Sequence, residues 1–127
     1  IPREQVEALK KAHPNAPVLA HPECKSELLA LADYIGSTTG IIEYTEKNGS
    51  DAFIICTEIG VRYELERRNP GKKFYFPESE PVCTDMKLIT LEKIVNVLQT
   101  GENEVYVEET LAKAARKPLE RMLELAK

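Results

Sequence analysis

Ala52-Phe53-Ile54-Ile55-Cys56-Thr57-Glu58-Ile59-Gly60-Val61-Arg62 passes from five consecutive small or apolar residues into a polar turn and then into a charged, helix-forming segment. A strand with one wet face alternates apolar and polar residues, so an unbroken apolar run of this length reads as a strand covered on both faces. Residues 52–56 are therefore predicted to be a buried strand and residues 60–69 the helix that follows it.

The same unit recurs on either side. Toward the N-terminus, Val6, Leu9 and Ala12 keep helical spacing after Pro2, and Pro14-Asn15 ends that helix. Strands are predicted at 17–20 and 32–36, with helices at 25–31 and 39–48 between and after them. Toward the C-terminus a strand is predicted at 73–76. Short apolar strands alternating with helices of about ten residues mark a parallel sheet with helices on both faces. The predicted fold class is α/β, a three-layer αβα sandwich with a short parallel sheet.

Past Pro81 the pattern changes to a C-terminal helical extension. Thr90 is placed to cap a helix through about residue 99, a short strand is predicted at 104–107, and a long helix at 108–126. Pro118 is expected to kink that last helix, because it removes one hydrogen bond and crowds the preceding turn. The chain is thus expected to divide into an α/β domain, 1–82, and an extension, 83–127. Opening at Ile1 with Pro2 already in a helical first turn, it reads as part of a longer polypeptide.

Composition narrows the function classes. A net charge of -4 with acids and bases interspersed offers no basic field for a phosphate backbone, so nucleic acid is not an expected partner. No apolar run approaches the roughly 20 residues that a membrane span needs. Three widely spaced cysteines, Cys24, Cys56 and Cys83, in a chain without a secretory signal suit reduced thiols and a cytoplasmic location.

Right-handed crossovers bring the C-terminal ends of parallel strands to one edge, where open α/β sheets bind ligands. Chemistry is therefore expected at strand ends. The first strand runs into His21-Pro22-Glu23-Cys24, an imidazole, a carboxylate and a thiol together; the same residues also suit an ordinary helix start, with Glu23 complementing the dipole. The second ends in Gly36-Ser37-Thr38-Thr39-Gly40, whose amides and hydroxyls would hold an anion or simply cap the helix. After the third, Cys56 and Arg62 have the Cys-x5-Arg spacing of cysteine-dependent phosphatases, but Glu58 would lie inside the phosphate cradle and interior glycines are lacking. A phosphoacceptor receiver module would need an aspartate where Cys56 and Thr57 stand. Cys83 lies after the fourth strand, in the irregular segment Pro81 to Lys87.

Taken in order, His21-Pro22-Glu23-Cys24, Gly36-Ser37-Thr38, Thr57-Glu58-Ile59-Gly60 and Cys83-Thr84-Asp85-Met86-Lys87 resemble the C-terminal region of the quinolinate synthase family. The stretch from Arg116-Lys117-Pro118 to Arg121-Met122-Leu123-Glu124 is similar to that family's last helix. The resemblance implies an enzyme of NAD biosynthesis that condenses iminoaspartate with dihydroxyacetone phosphate to quinolinate. It implies three similar α/β domains around a cleft, each giving one cysteine to a 4Fe-4S cluster whose remaining iron is open to substrate.

Residue by residue, the resemblance makes Cys83 a cluster ligand, Glu23 the acid/base with His21 beside it, and Ser37 and Thr38 the hydroxyls for anionic substrate groups. It places Cys24 near the cleft without ligation and gives Cys56 no ligating role. Thr57 and Glu58 match a recurring family segment, and Met86 and Lys87 read as support for the Cys83 loop. Residues 1–82 would be the third domain and 83–127 would pack toward an N-terminal domain that is not in this chain. A chain lacking the other domains is expected to be inactive by itself, and a homo-oligomer is a further partner the family allows. The alternative from another class is a free-standing α/β anion-binding or interaction domain.

Overall fold

The computed structural model describes residues 1–126. It divides into two units, residues 1–87 and residues 88–127.

The first unit has the predicted α/β class. Its elements are α1 (Arg3–Ala12), β1 (Val18–Ala20), α2 (Ser26–Leu29), β2 (Tyr34–Ile35), α3 (Thr38–Lys47), β3 (Ala52–Cys56), a 3-10 turn (Ile59–Val61), α4 (Arg62–Arg68) and β4 (Lys73–Tyr75). All strand pairs are parallel, in the order β2-β1-β3-β4. Residues alternating along β1 and β3 explain the three layers. Leu19, Phe53 and Ile55 face a core shared with Ile41, Ile42 and Leu65 of α3 and α4, while Val18, Ala20, Ile54 and Cys56 face one shared with Val6 and Leu28 of α1 and α2. Burying a side chain as large as Phe53 is worth about 1.5–3 kcal/mol, so the two clusters account for helices that are short for independent stability.

Polar side chains close the ends that apolar packing leaves open. The Lys72 ammonium donates to the carbonyls of Thr45 at 2.6 Å and Asn48 at 2.7 Å, capping the C-terminus of α3. At the edge, β2 is shorter than the predicted 32–36. Leu31 and Ala32 complete turns on the tail of α2, and the Asp33 carboxylate accepts the Val18 N–H at 2.8 Å, replacing a ladder bond with a side-chain one.

The second unit contains α5 (Leu91–Thr100) and α6 (Glu109–Leu125). Thr90 caps α5 as predicted, its hydroxyl accepting the Lys93 N–H at 3.3 Å, and Gly101 ends it in the left-handed region at φ 69°. The Glu108 carboxylate caps α6 through the Thr110 and Leu111 amides. One expectation needs correction. Residues 104–107 form no strand, because the Val105-Tyr106-Val107 pattern has β-propensity but no ladder partner, and Val105 and Tyr106 lie 83% and 85% exposed. Helix α6 runs through Pro118 without a break. Among the described residues, no helix is long and apolar enough to cross a membrane.

Candidate active site

Because β1 lies between β2 and β3, the crossover from β1 runs to one side of the sheet and that from β3 to the other, so the C-terminal ends of β1 and β3 form the topological switch point. An open cavity of about 460 Å³ lies there. Every strand contributes to it: His21, Glu23 and Cys24 follow β1, Thr38 follows β2, Thr57 and Glu58 follow β3, and Cys83 and Met86 follow β4. A second cavity of similar volume sits at the opposite strand edge, among residues 12–16 and 49–52. Its histidine, His13, is stacked on Tyr75 at 3.6 Å, which explains that side chain by packing. The C-terminal edge therefore gathers the strand-end His21, Glu23 and Cys83 around one cavity.

The turn His21 to Cys24 is pinned to β3. The His21 N–H donates to the Cys56 carbonyl at 3.0 Å, and the Cys24 thiol donates to the same oxygen at 3.4 Å. His21 Nδ1 accepts the Glu23 N–H at 3.3 Å, so the ring proton belongs on Nε2, where it can be donated to a ligand. The Glu23 carboxylate is 3.6 Å from Nδ1, too far for a hydrogen bond, and is 90% exposed. Among the described residues, none encloses the Glu23 carboxylate.

Ser37 and Thr38, expected to act as a pair, separate here. Thr38 lines the cavity, whereas the Ser37 hydroxyl accepts the Gly40 N–H at 3.1 Å as the cap of α3. The two glycines flanking them have a packing cause. A Cβ at Gly36 or Gly40 would come within 2.5 or 2.6 Å of the Tyr34 hydroxyl, and the Tyr34 ring is stacked on Tyr44 at 4.6 Å. Both hydroxyls keep a proton to donate, but only Thr38 lines the cavity.

The three thiols have different environments. Cys56 is fully buried, and burial pushes its thiol up to about 12. Arg62, its partner in the Cys-x5-Arg spacing, stacks its guanidinium over the Phe76 ring at 4.7 Å. With an un-ionised nucleophile and an arginine engaged elsewhere, the phosphatase reading fails. Burial also raises Cys24, opposed by the backbone hydrogen bond at His21. Cys83 is half-buried and lines the cavity.

Sequence spacing underreads two charged groups. Lys25, expected only to start a helix, brings a cation to the cavity wall; its place directly after His21-Pro22-Glu23-Cys24 is the signal for it. Glu58 caps the 3-10 turn, its Oε2 accepting the Gly60 N–H at 2.6 Å. Its Oε1 is buried and accepts no hydrogen bond, with the Lys87 ammonium 3.2 Å away as an ion pair.

Comparison with known proteins fixes the family. The family model described as quinolinate synthetase A protein matches residues 1–124. The chain belongs to that family. A quinolinate synthase of Fusobacterium nucleatum is 53% identical over 97% of this chain and 41% of its own length. Those of Clostridioides difficile and Aquifex aeolicus are 46% and 40% identical, each over 97% of this chain and 40% of the relative. The chain thus spans about two fifths of the curated relatives it matches. The strand-end motifs that carried the resemblance fall within the matched family segment, and each contributes at least one residue to the cavity wall.

Proposed function

We propose that this chain is the third α/β domain and C-terminal extension of a quinolinate synthase, which condenses iminoaspartate with dihydroxyacetone phosphate to quinolinate in NAD biosynthesis. The observation that carries this is the convergence of His21, Glu23, Thr38 and Cys83 on one cavity at the switch point of the sheet. Within it, His21 Nε2 donates to a substrate oxygen and Glu23 moves protons as acid and base. Thr38 and the amides of the α3 N-terminus hold an anionic group, with Lys25 as counter-charge and Ser37 contributing mainly through the cap.

Cys83 is the residue that would ligate a 4Fe-4S cluster. Its thiol meets the fit such a role demands: it is half-buried, on the cavity wall and in a loop rather than a strand core. When bound, the cluster supplies an open iron that acts as a Lewis acid on substrate oxygen. Among the described residues, no group of three or more His, Cys, Asp or Glu could hold a metal ion, so the other ligands would come from the remaining domains. Those domains would also close the cleft over Glu23 and cover the apolar faces of α5 and α6. Free thiols at all three cysteines suit the cytoplasm.

Replacing Cys83 with alanine in the full-length enzyme is expected to abolish both bound iron and quinolinate formation. Wild-type iron content and turnover in that variant would overturn the assignment.

A further inference from the structure

We infer that Glu58 and Lys87 form a latch that positions the Cys83 loop, an arrangement resting on the proposed ligand role of Cys83 for its purpose but not for its existence. The loop leaves the sheet after β4 and has two ties to the turn after β3. At its start, the Ile59 N–H donates to the Pro81 carbonyl at 2.8 Å. At its end, the Lys87 ammonium pairs with Glu58 Oε1 at 3.2 Å, while the Lys87 N–H returns to the Cys83 carbonyl at 3.2 Å. Cys83 sits between these ties.

Glu58 is suited to the anchoring side. Its side chain is 17% exposed against 54% for Lys87, and Oε2 is fixed by the Gly60 amide. Oε1 therefore stands buried without a hydrogen bond, a costly placement unless a cation answers it. Lys87 is the cation within ion-pair distance. Gly60 belongs to the device: a Cβ there would meet Glu58 Oε2 at 2.6 Å and push the carboxylate off its seat. Glu58 and Lys87 are positioning residues, acting on the cavity through the loop.

The test is the alkylation rate of Cys83 by iodoacetamide in the 127-residue chain, followed by peptide mass spectrometry across pH, with Cys24 as internal reference. A change in loop position alters the plateau rate of the thiolate, whereas loss of a nearby charge moves the midpoint of the profile and changes the plateau only through the accompanying change in thiolate basicity. For E58A, K87A and G60A the Cys83 plateau is expected to rise roughly 5-fold, the scale of a part-exposed pair worth about 1 kcal/mol. K87R, which keeps the ion pair, should retain the wild-type plateau, and Cys24 should stay unchanged in every variant. The latch is overturned if the plateaus of E58A and K87A match wild type, if K87R behaves as K87A, or if Cys24 accelerates with Cys83. None of these results bears on whether Cys83 binds iron, which the Cys83→Ala enzyme decides separately.

Discussion

In the first unit Phe53, Ile54 and Ile55 are fully buried, whereas in the second Leu91, Leu98 and Tyr106 expose 77%, 80% and 85% of their surface. Both regions are written in the same helix-forming vocabulary, with capped ends and periodic apolar positions. Leu91, Ile94, Val95 and Leu98 share one face of α5, and Leu111, Ala115, Leu119 and Met122 share one face of α6. The difference is what those faces meet. In residues 1–87 the sheet supplies a partner for every helix; among the described residues from 88 onward, only Ala112 is even half-buried. Helices of this length draw most of their stability from tertiary packing, so the second unit carries its own local signals but not its own core.

Deleting one apolar side chain from each region should cost the two regions very different amounts. Phe53→Ala should destabilise the α/β unit by about 3–5 kcal/mol, because the ring fills the space between β3 and the helices α3 and α4. Leu98→Ala should stay within about 0.5 kcal/mol, since little of that side chain leaves water. Chemical denaturation of both variants checks this. Equal losses would mean that α5 has a packed face in solution.

The same contrast separates features dictated by near neighbours in the chain from features dictated by distant ones. Residues 52–56 announce a buried strand because burial on both faces suppresses alternation, and β3 has the predicted limits. Thr90 and Gly101 announce the ends of α5, since capping is chemistry between near neighbours. The expected strand at 104–107 fails for the converse reason: alternation is local, but a ladder needs a second strand from elsewhere. At the site, topology places His21, Glu23, Thr38 and Cys83 on one edge. The turning of Ser37 into its helix, the shortening of β2 by Asp33 and the pairing of Glu58 with Lys87 depend on neighbours that sequence spacing does not reveal.

A second, smaller effect separates the regions by pH, because all three cysteines precede residue 88. The Cys56 thiol is raised from 9.0 to about 12 by burial, with Cys24 raised in the same direction. Below pH 9 both folded and unfolded chains keep these protons, so the shift costs nothing. As pH rises from 9 toward 12 the unfolded thiol ionises while the folded one cannot, the unfolded state binds fewer protons, and stability falls. Denaturation midpoints of the α/β unit should therefore decline through this window. Cys56→Ala should start from a lower stability but show a shallower decline; parallel curves for variant and parent would remove burial of the thiol as the cause.

The smallest expected effect compares two caps of the same chemistry. The Ser37 hydroxyl accepts the Gly40 N–H at 3.1 Å, and the Thr90 hydroxyl accepts the Lys93 N–H at 3.3 Å. Each is worth about 1 kcal/mol when replaced by alanine. In Ser37→Ala that loss should appear in global unfolding, because α3 is locked to the sheet through Ile41 and Ile42 and cannot fray alone. In Thr90→Ala the global transition should stay in place, and the loss should appear as faster amide exchange confined to the first turn of α5. A local penalty spreads only as far as packing carries it. A global shift in the Thr90 variant equal to that of the Ser37 variant would show that α5 is coupled to a core, and the distinction between the two regions would then be one of degree.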